Sequence, residues 1–150
     1  TDELVLFDFS KQMNYTVVSF NASDSSGSSI YHTNVIMSLG ENIAVLCKDA
    51  IKDNSERENV LCSLESSNHE IVCITLEQMH SFSGNVLEVI SNGGEKLMLM
   101  SSSAETALTD SQYKTISKYC RIVSSPIDNI EASAGGSVRC MMAEIFLPKN

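Results

Sequence analysis

Cys140 and His32 are the two residues of this sequence whose types, brought together, could do nucleophilic chemistry. A thiol attacks as its thiolate, and an imidazole is the usual partner that takes the proton and later returns it to a leaving group. Cys140 follows a glycine pair in the run Gly135-Gly136-Ser137-Val138-Arg139-Cys140-Met141-Met142-Ala143-Glu144-Ile145-Phe146-Leu147-Pro148. Glycines let the backbone take φ > 0 or pass close to a bound molecule, and the residues after them are apolar on both alternating faces, as in a strand buried on two sides. Cys140 is therefore expected where a loop enters a buried strand, reachable from the loop and held still by the strand. Each residue has a plain alternative: a cysteine is often a small core hydrophobe, and a histidine a polar loop residue.

The elements that must position this pair follow from the hydrophobic pattern. Thr1-Asp2-Glu3 caps a helix whose apolar stripe (Leu4, Val5, Phe7, Phe9, Met13) runs to about Asn14. Residues 15–21 are β-branched and aromatic and predict a strand, and residues 23–29 form an ordinary polar loop. Strands are expected at 34–39 and 42–47, a helix from the Asp53-Asn54-Ser55 cap to Leu64, and a strand at 69–75. The same β-β-α-β order then returns: strands at 85–90 and 96–100, a helix from the Thr109-Asp110 cap through Tyr119, and a strand at 121–124. A third start lies at Ser137-Val138. Fifty-one residues separate Asn34 from Asn85 and fifty-two separate Asn85 from Ser137, a period expected of radial or stacked repeats. His32, two residues before the first start, and Cys140, three after the third, would then lie at the same end of related strands.

This gives an α/β chain in one domain of 150 residues. It divides into a closing half-unit (1–21), two units (30–76 and 77–126) and an opening half-unit (127–150). A net charge of −9 opposes binding to nucleic acid or an anionic membrane surface, so neither is expected as a partner. No apolar run approaches the ~20 residues that span a bilayer. Five cysteines, an odd number set mostly in apolar or amphipathic runs, suit reduced thiols and a cytoplasmic protein. Cys62, His69 and Cys73 lack a zinc spacing, and Cys62 on a helix face and Cys73 in an apolar strand read as core, so no metal is expected. His80 has two readings, a contact with substrate from a segment that points at the axis or, preferred, a surface or loop role, and Gly84 and Asn85 read as turn formers.

Ile30-Tyr31-His32-Thr33-Asn34-Val35-Ile36-Met37, Glu77-Gln78-Met79 with Phe82-Ser83-Gly84-Asn85, and Gly135-Gly136-Ser137-Val138-Arg139-Cys140-Met141 resemble segments of the guanidino-group modifying superfamily. Within it they are most similar to the arginine-deiminase-related citrulline-utilisation hydrolases, and the segments keep the family order along the whole chain. The resemblance implies a fivefold β-β-α-β propeller, the pentein fold, with the active site on its axis and about half of the ring present here. It implies Cys140 as nucleophile and His32 as general acid/base in a hydrolase or deiminase acting on a free arginine- or citrulline-like amino acid, with no cofactor. The thiolate would add to the amidino or ureido carbon, and His32 would protonate the departing amine and then deprotonate the hydrolytic water.

The same resemblance places Gly135, Gly136, Asn34 and Arg139 at the substrate. Arg139 has two readings, a grip on a substrate carboxylate or a cap on a neighbouring loop. Arginine deiminases usually carry His-x-Asp; here the third residue is Asn34, whose amide both donates and accepts and so suits a neutral ureido group. Ala134 stands where many relatives have a third glycine. The acid that orients the histidine belongs to the first half of the propeller in this family, and is expected upstream of Thr1. A ring cut in half leaves two open flanks, so the expected partners are the other half or another copy of the chain. The alternative function is a fragment or degenerate relative that binds a ligand or partner without turnover.

Overall fold

The computed structural model describes residues 2–144. Helix α1 (Glu3–Met13) starts where the Asp2 carboxylate accepts the Leu4 N–H at 2.9 Å and stops at Asn14, which takes the left-handed conformation. Leu4, Val5, Phe7, Phe9 and Met13 on this helix stay exposed.

Strands β1 (Met37–Leu39), β2 (Ile43–Leu46) and β3 (Glu70–Cys73) form one sheet in that order. β1 runs antiparallel to β2, with Met37 opposite Leu46, and β3 runs parallel to it, with Ile43 opposite Glu70. A parallel pair needs a crossover, and helix α2 (Asn54–Ser66) supplies it. Asp53 caps α2 by accepting the Glu56 N–H at 2.9 Å, and Val60 and Leu64 pack onto Ala44, Leu46 and Ile51. Every residue of β2 is buried, as expected of a central strand covered on both faces.

The second sheet repeats the topology. β4 (Leu87–Ile90) pairs antiparallel with β5 (Lys96–Ser101), and β6 (Arg121–Ser125) lies parallel to β5. Short helices complete the chain: α3 (Leu76–His80) after β3, α4 (Ser102–Ala107) and α5 (Asp110–Ile116) between β5 and β6, and α6 (Asp128–Ala134) after β6. Thr75 with Gln78 and Thr109 with Gln112 are capping boxes at the starts of α3 and α5.

The two sheets share one core. Val45 and Val72 of the first, with the flanking Ile36 and Ile74, pack with Met98 and Met100 of the second, with Val86 before β4 and Ile116 of α5. At the junction the buried Ser38 hydroxyl donates to the Val86 carbonyl at 2.6 Å. Gly84 is required there, because a Cβ would stand 2.6 Å from the Val35 carbonyl oxygen.

Four expectations are corrected. Residues 15–21 form no strand: strand propensity needs a partner edge, and the nearest pairing is an isolated bridge between Ser23 and Ser29. The segment before β1 begins as a 3-10 turn, Thr33–Val35. The helix expected through Tyr119 ends at Ile116, and Tyr119 lies in the turn beyond it. Among the described residues no strand follows Cys140; it sits in a 3-10 turn, Val138–Met141, with Met142 to Glu144 in irregular backbone. The apolar residues 145–148 on which that strand rested lie outside the described residues.

Candidate functional site

Three chain segments distant in sequence meet at Asn85. Its Nδ2 donates to the Asn34 carbonyl at 3.0 Å and to Cys140 Sγ at 3.1 Å, and its Oδ1 accepts the Ser137 N–H at 3.2 Å. The Asn34 carbonyl can only accept and the Ser137 N–H can only donate, so these two partners fix which way the amide points. Asn34, Asn85 and Ser137, the residues that mark the sequence period, are thus hydrogen-bonded in series.

Asn85 is buried, so the series is shielded from competing water. Ser137 is also buried and is held a second time: its hydroxyl donates to Glu131 of α6 at 2.6 Å, and the same carboxylate accepts the Ser103 hydroxyl at 2.8 Å. The turn that carries Cys140 is therefore anchored at its root by an amide and a carboxylate. The Cys140 N–H closes the turn onto the Ser137 carbonyl at 3.0 Å.

A cavity of about 530 Å³ opens over this turn, and Cys140, His32, Gly135 and Gly136 all line it. His32 occupies the position before the Thr33–Val35 turn, and its carbonyl accepts the Val35 N–H at 3.0 Å. Both candidate reactive residues are thus carried by 3-10 turns next to the Asn85 junction. Gly135 ends α6 in the left-handed conformation at φ 65°. Gly136 lies against the thiol, where a Cβ would be 3.0 Å from both Cys140 Cβ and Sγ. Ile30, Tyr31, Val35, Met79 and Phe82 supply its apolar wall.

Two expected substrate residues do not line the cavity. Asn34 contributes its carbonyl to Asn85, and the Arg139 guanidinium lies 3.5 Å from Glu144. Two residues read as ordinary from the sequence do line it. His80 stands at the C-terminal end of α3, and Asp24 is in the loop after Ser23. His69 lies elsewhere, between the Ser67 hydroxyl and the Gly40 carbonyl.

All five cysteines are free thiols, and they differ in kind. Cys47 and Cys120 are buried; desolvation pushes the Cys47 thiol up, and for Cys120 desolvation and then the Glu88 carboxylate push it to about 11. Both stay protonated at neutral pH. Cys62 and Cys73, expected in the core, are exposed instead. Cys140 is exposed and, of the five, faces the cavity together with an imidazole. A larger groove of about 760 Å³, between Thr75 and Asp128, is lined by hydroxyls, amides and carboxylates without a thiol or imidazole. Among the described residues no helix is long and apolar enough to cross a membrane.

The sequence profile described as N,N dimethylarginine dimethylhydrolase, eukaryotic, matches residues 1–147. No curated protein matches the chain. Among solved structures the chain is similar to ArgZ in its apo form, an arginine dihydrolase from the ornithine-ammonia cycle in Cyanobacteria. The TM-score is 0.65 at 14% identity, over 89% of this chain and 19% of the other. The chain thus spans about a fifth of that enzyme's length, and the likeness is one of fold.

Proposed function

From the premise that this chain belongs to the eukaryotic N,N dimethylarginine dimethylhydrolase family, we propose that it carries the nucleophile and the acid/base of a cysteine-dependent hydrolase. The target is the amidino or ureido carbon of a free arginine- or citrulline-like amino acid, and the family name brings N-methylated arginine into that class. The observation that carries the reading is one cavity lined by Cys140 and His32, with the Asn85 amide N–H directed at the sulfur.

In this reading the Cys140 thiolate adds to the amidino carbon, and the Asn85 N–H stabilises negative charge on sulfur before attack and on its return. His32 delivers a proton to the departing amine, the C–N bond breaks, and a thiol-bound intermediate remains. Water then enters, His32 takes its proton, the hydroxide adds to the carbon, and the C–S bond breaks to release a ureido product from an amidino substrate or a carbamate from a ureido one and restore the thiolate. Gly136 leaves the thiol room, and Gly135 permits the sharp exit from α6. Asn34 and Arg139 act on the frame of the site, through Asn85 and Glu144.

The two sheets of like topology, joined through Asn34, Asn85 and Ser137, support reading residues 30–76 and 77–126 as consecutive units of a fivefold propeller. Residues 1–21 and 127–150 would be half-units, and the chain the C-terminal half of the ring. The exposed apolar row of α1 fits a flank that meets the rest of such a ring, and it equally fits a chain that only binds a partner. One substitution separates the two: Cys140→Ser in the active protein abolishes turnover while substrate still binds. Retention of more than a few per cent of the rate would overturn the catalytic reading.

A further inference from the structure

The candidate mechanism leaves unassigned the single carboxylate among the described residues that line the cavity. Asp24 sits in a hairpin loop closed by the Ser23–Ser29 bridge, the Asp24 N–H on the Ser28 carbonyl at 3.0 Å and Gly27 at φ 84°. Its Oδ1 is fully engaged, accepting the Ser26 N–H at 2.8 Å, the Ser26 hydroxyl at 2.7 Å and the Ser28 N–H at 2.9 Å. Oδ2 accepts no hydrogen bond from the protein among the described residues. A carboxylate offers acceptor sites on both oxygens, so one oxygen fixes the group in place and the other remains for a ligand.

We propose that Asp24 is the cation-recognition residue of this cavity, its free carboxylate oxygen holding a positively charged N–H group of the ligand in front of Cys140. Among the described residues the lining has no lysine or arginine to neutralise it, and the neighbouring walls are Ile30, Tyr31, Val35, Met79 and Phe82. Apolar walls strengthen the attraction of a fixed charge for a cation entering beside them. The carboxyl is held below the ordinary range, first by the Ser26 hydroxyl and, against a smaller effect of desolvation, by the Ser28 and Ser26 N–H groups and the neighbouring His80, so it is ionised at neutral pH. The shared chemistry is a guanidinium or an ammonium group; that the ligand is an amino acid rests on the function proposed above.

The test uses Asp24→Asn, which keeps the Oδ1 acceptor of the loop, removes the charge and turns the free oxygen into an N–H donor that repels a cationic N–H group. Cys140 in the purified protein is modified with a trimethylammonium-bearing methanethiosulfonate and with its neutral methyl counterpart, and the labelled peptides are quantified by mass spectrometry. The cationic-to-neutral rate ratio at Cys140 is expected to fall about tenfold in the variant at low salt, and at the exposed reference Cys62 to stay constant. An unchanged ratio at Cys140 overturns the proposal.

Protection of Cys140 against the neutral reagent then identifies the ligand's cation. The variant should weaken protection by arginine about ten- to hundredfold, as expected for the loss of a charge-assisted contact. Protection by 5-ureidopentanoate, which has no cation, should be unaffected; weakening there would mean that Asp24 acts only by shaping the loop, and would overturn the proposal. Weakening with citrulline assigns the α-ammonium, and weakening with 5-guanidinopentanoate assigns the guanidinium. If the reagent ratio falls and none of these compounds protects, cation recognition stands and the amino-acid substrate does not.

Discussion

Asn85 Nδ2 lies 3.1 Å from Cys140 Sγ, although the two residues are 55 positions apart in the chain. The same amide spans the Asn34 carbonyl and the Ser137 N–H, so the group that touches the sulfur also joins three segments of chain. Site geometry and repeat packing are therefore one structural feature here, and changes at Asn85 should register in both.

Asn85→Ala leaves the buried Ser137 N–H without its partner, at a cost of roughly 1–3 kcal/mol, and the part-buried Asn34 carbonyl as well. It also removes the donor to sulfur. Alkylation of Cys140 by iodoacetamide at fixed pH is expected to slow by about tenfold. Asn85→Asp restores an acceptor for Ser137 but places a carboxylate beside the sulfur, and should slow alkylation further. Peptide mass spectrometry gives the rates, with Cys62 as internal reference. Equal alkylation in all three proteins would mean that the amide serves packing alone.

Gly135 and Gly136 should fail in different ways. At Gly135 a Cβ meets open space, but φ of 65° disfavours any side chain, so Gly135→Ala costs stability of about 1–2 kcal/mol. At Gly136 the backbone is permissive and the Cβ would press on Cys140 at 3.0 Å, so Gly136→Ala should slow reaction of the thiol with little change in thermal midpoint. Thermal unfolding and thiol reactivity, measured on both variants, check the contrast; identical profiles would contradict it.

Glu70 of β3 links the first sheet to the segment after α5: Lys118 donates to Oε1 at 2.8 Å and the Tyr119 hydroxyl to Oε2 at 2.7 Å. Lys118 foremost, then Tyr119, holds the Glu70 carboxyl below its ordinary range in the folded state. A carboxylate with a depressed folded pKa contributes stability above its unfolded pKa, and that contribution fades as pH falls through the folded value. Glu70→Gln should therefore lower the thermal midpoint at neutral pH, with the difference shrinking towards zero in acid. A difference that is independent of pH would mean that the ion pair contributes nothing.

How much of this was legible before folding depends on the kind of contact. The β-β-α-β order and the strand cores of both sheets follow from local hydrophobic pattern, which β2 and β5 carry strongly. Asn85 read as a turn former because nothing adjacent to it marks it; the signal that would have found it is its spacing, since residues one period apart on related strands converge. Asp24 carried no signal, because its loop reaches the cavity only when residues 15–30 fold back over the first sheet. Residues 15–21 look like a strand in composition, yet strand formation is decided by an available edge. The short helices α3 and α5 do have legible starts, the Thr75/Gln78 and Thr109/Gln112 boxes, whereas α6 has no side-chain cap to announce it.

The central claim is that Cys140 forms a covalent bond to the substrate carbon and that His32 moves protons both before and after. Acid-quenched turnover followed by mass spectrometry of the Cys140 peptide tests it most directly, using the active protein and its His32→Gln variant. The account predicts a substrate-derived mass on Cys140 in the parent protein, and formation and decay of that species each slowed by ~10² to 10⁴-fold in the variant. Turnover without any adduct on Cys140 would contradict the covalent mechanism, and an adduct forming at the parent rate in the variant would confine His32 to the hydrolytic step.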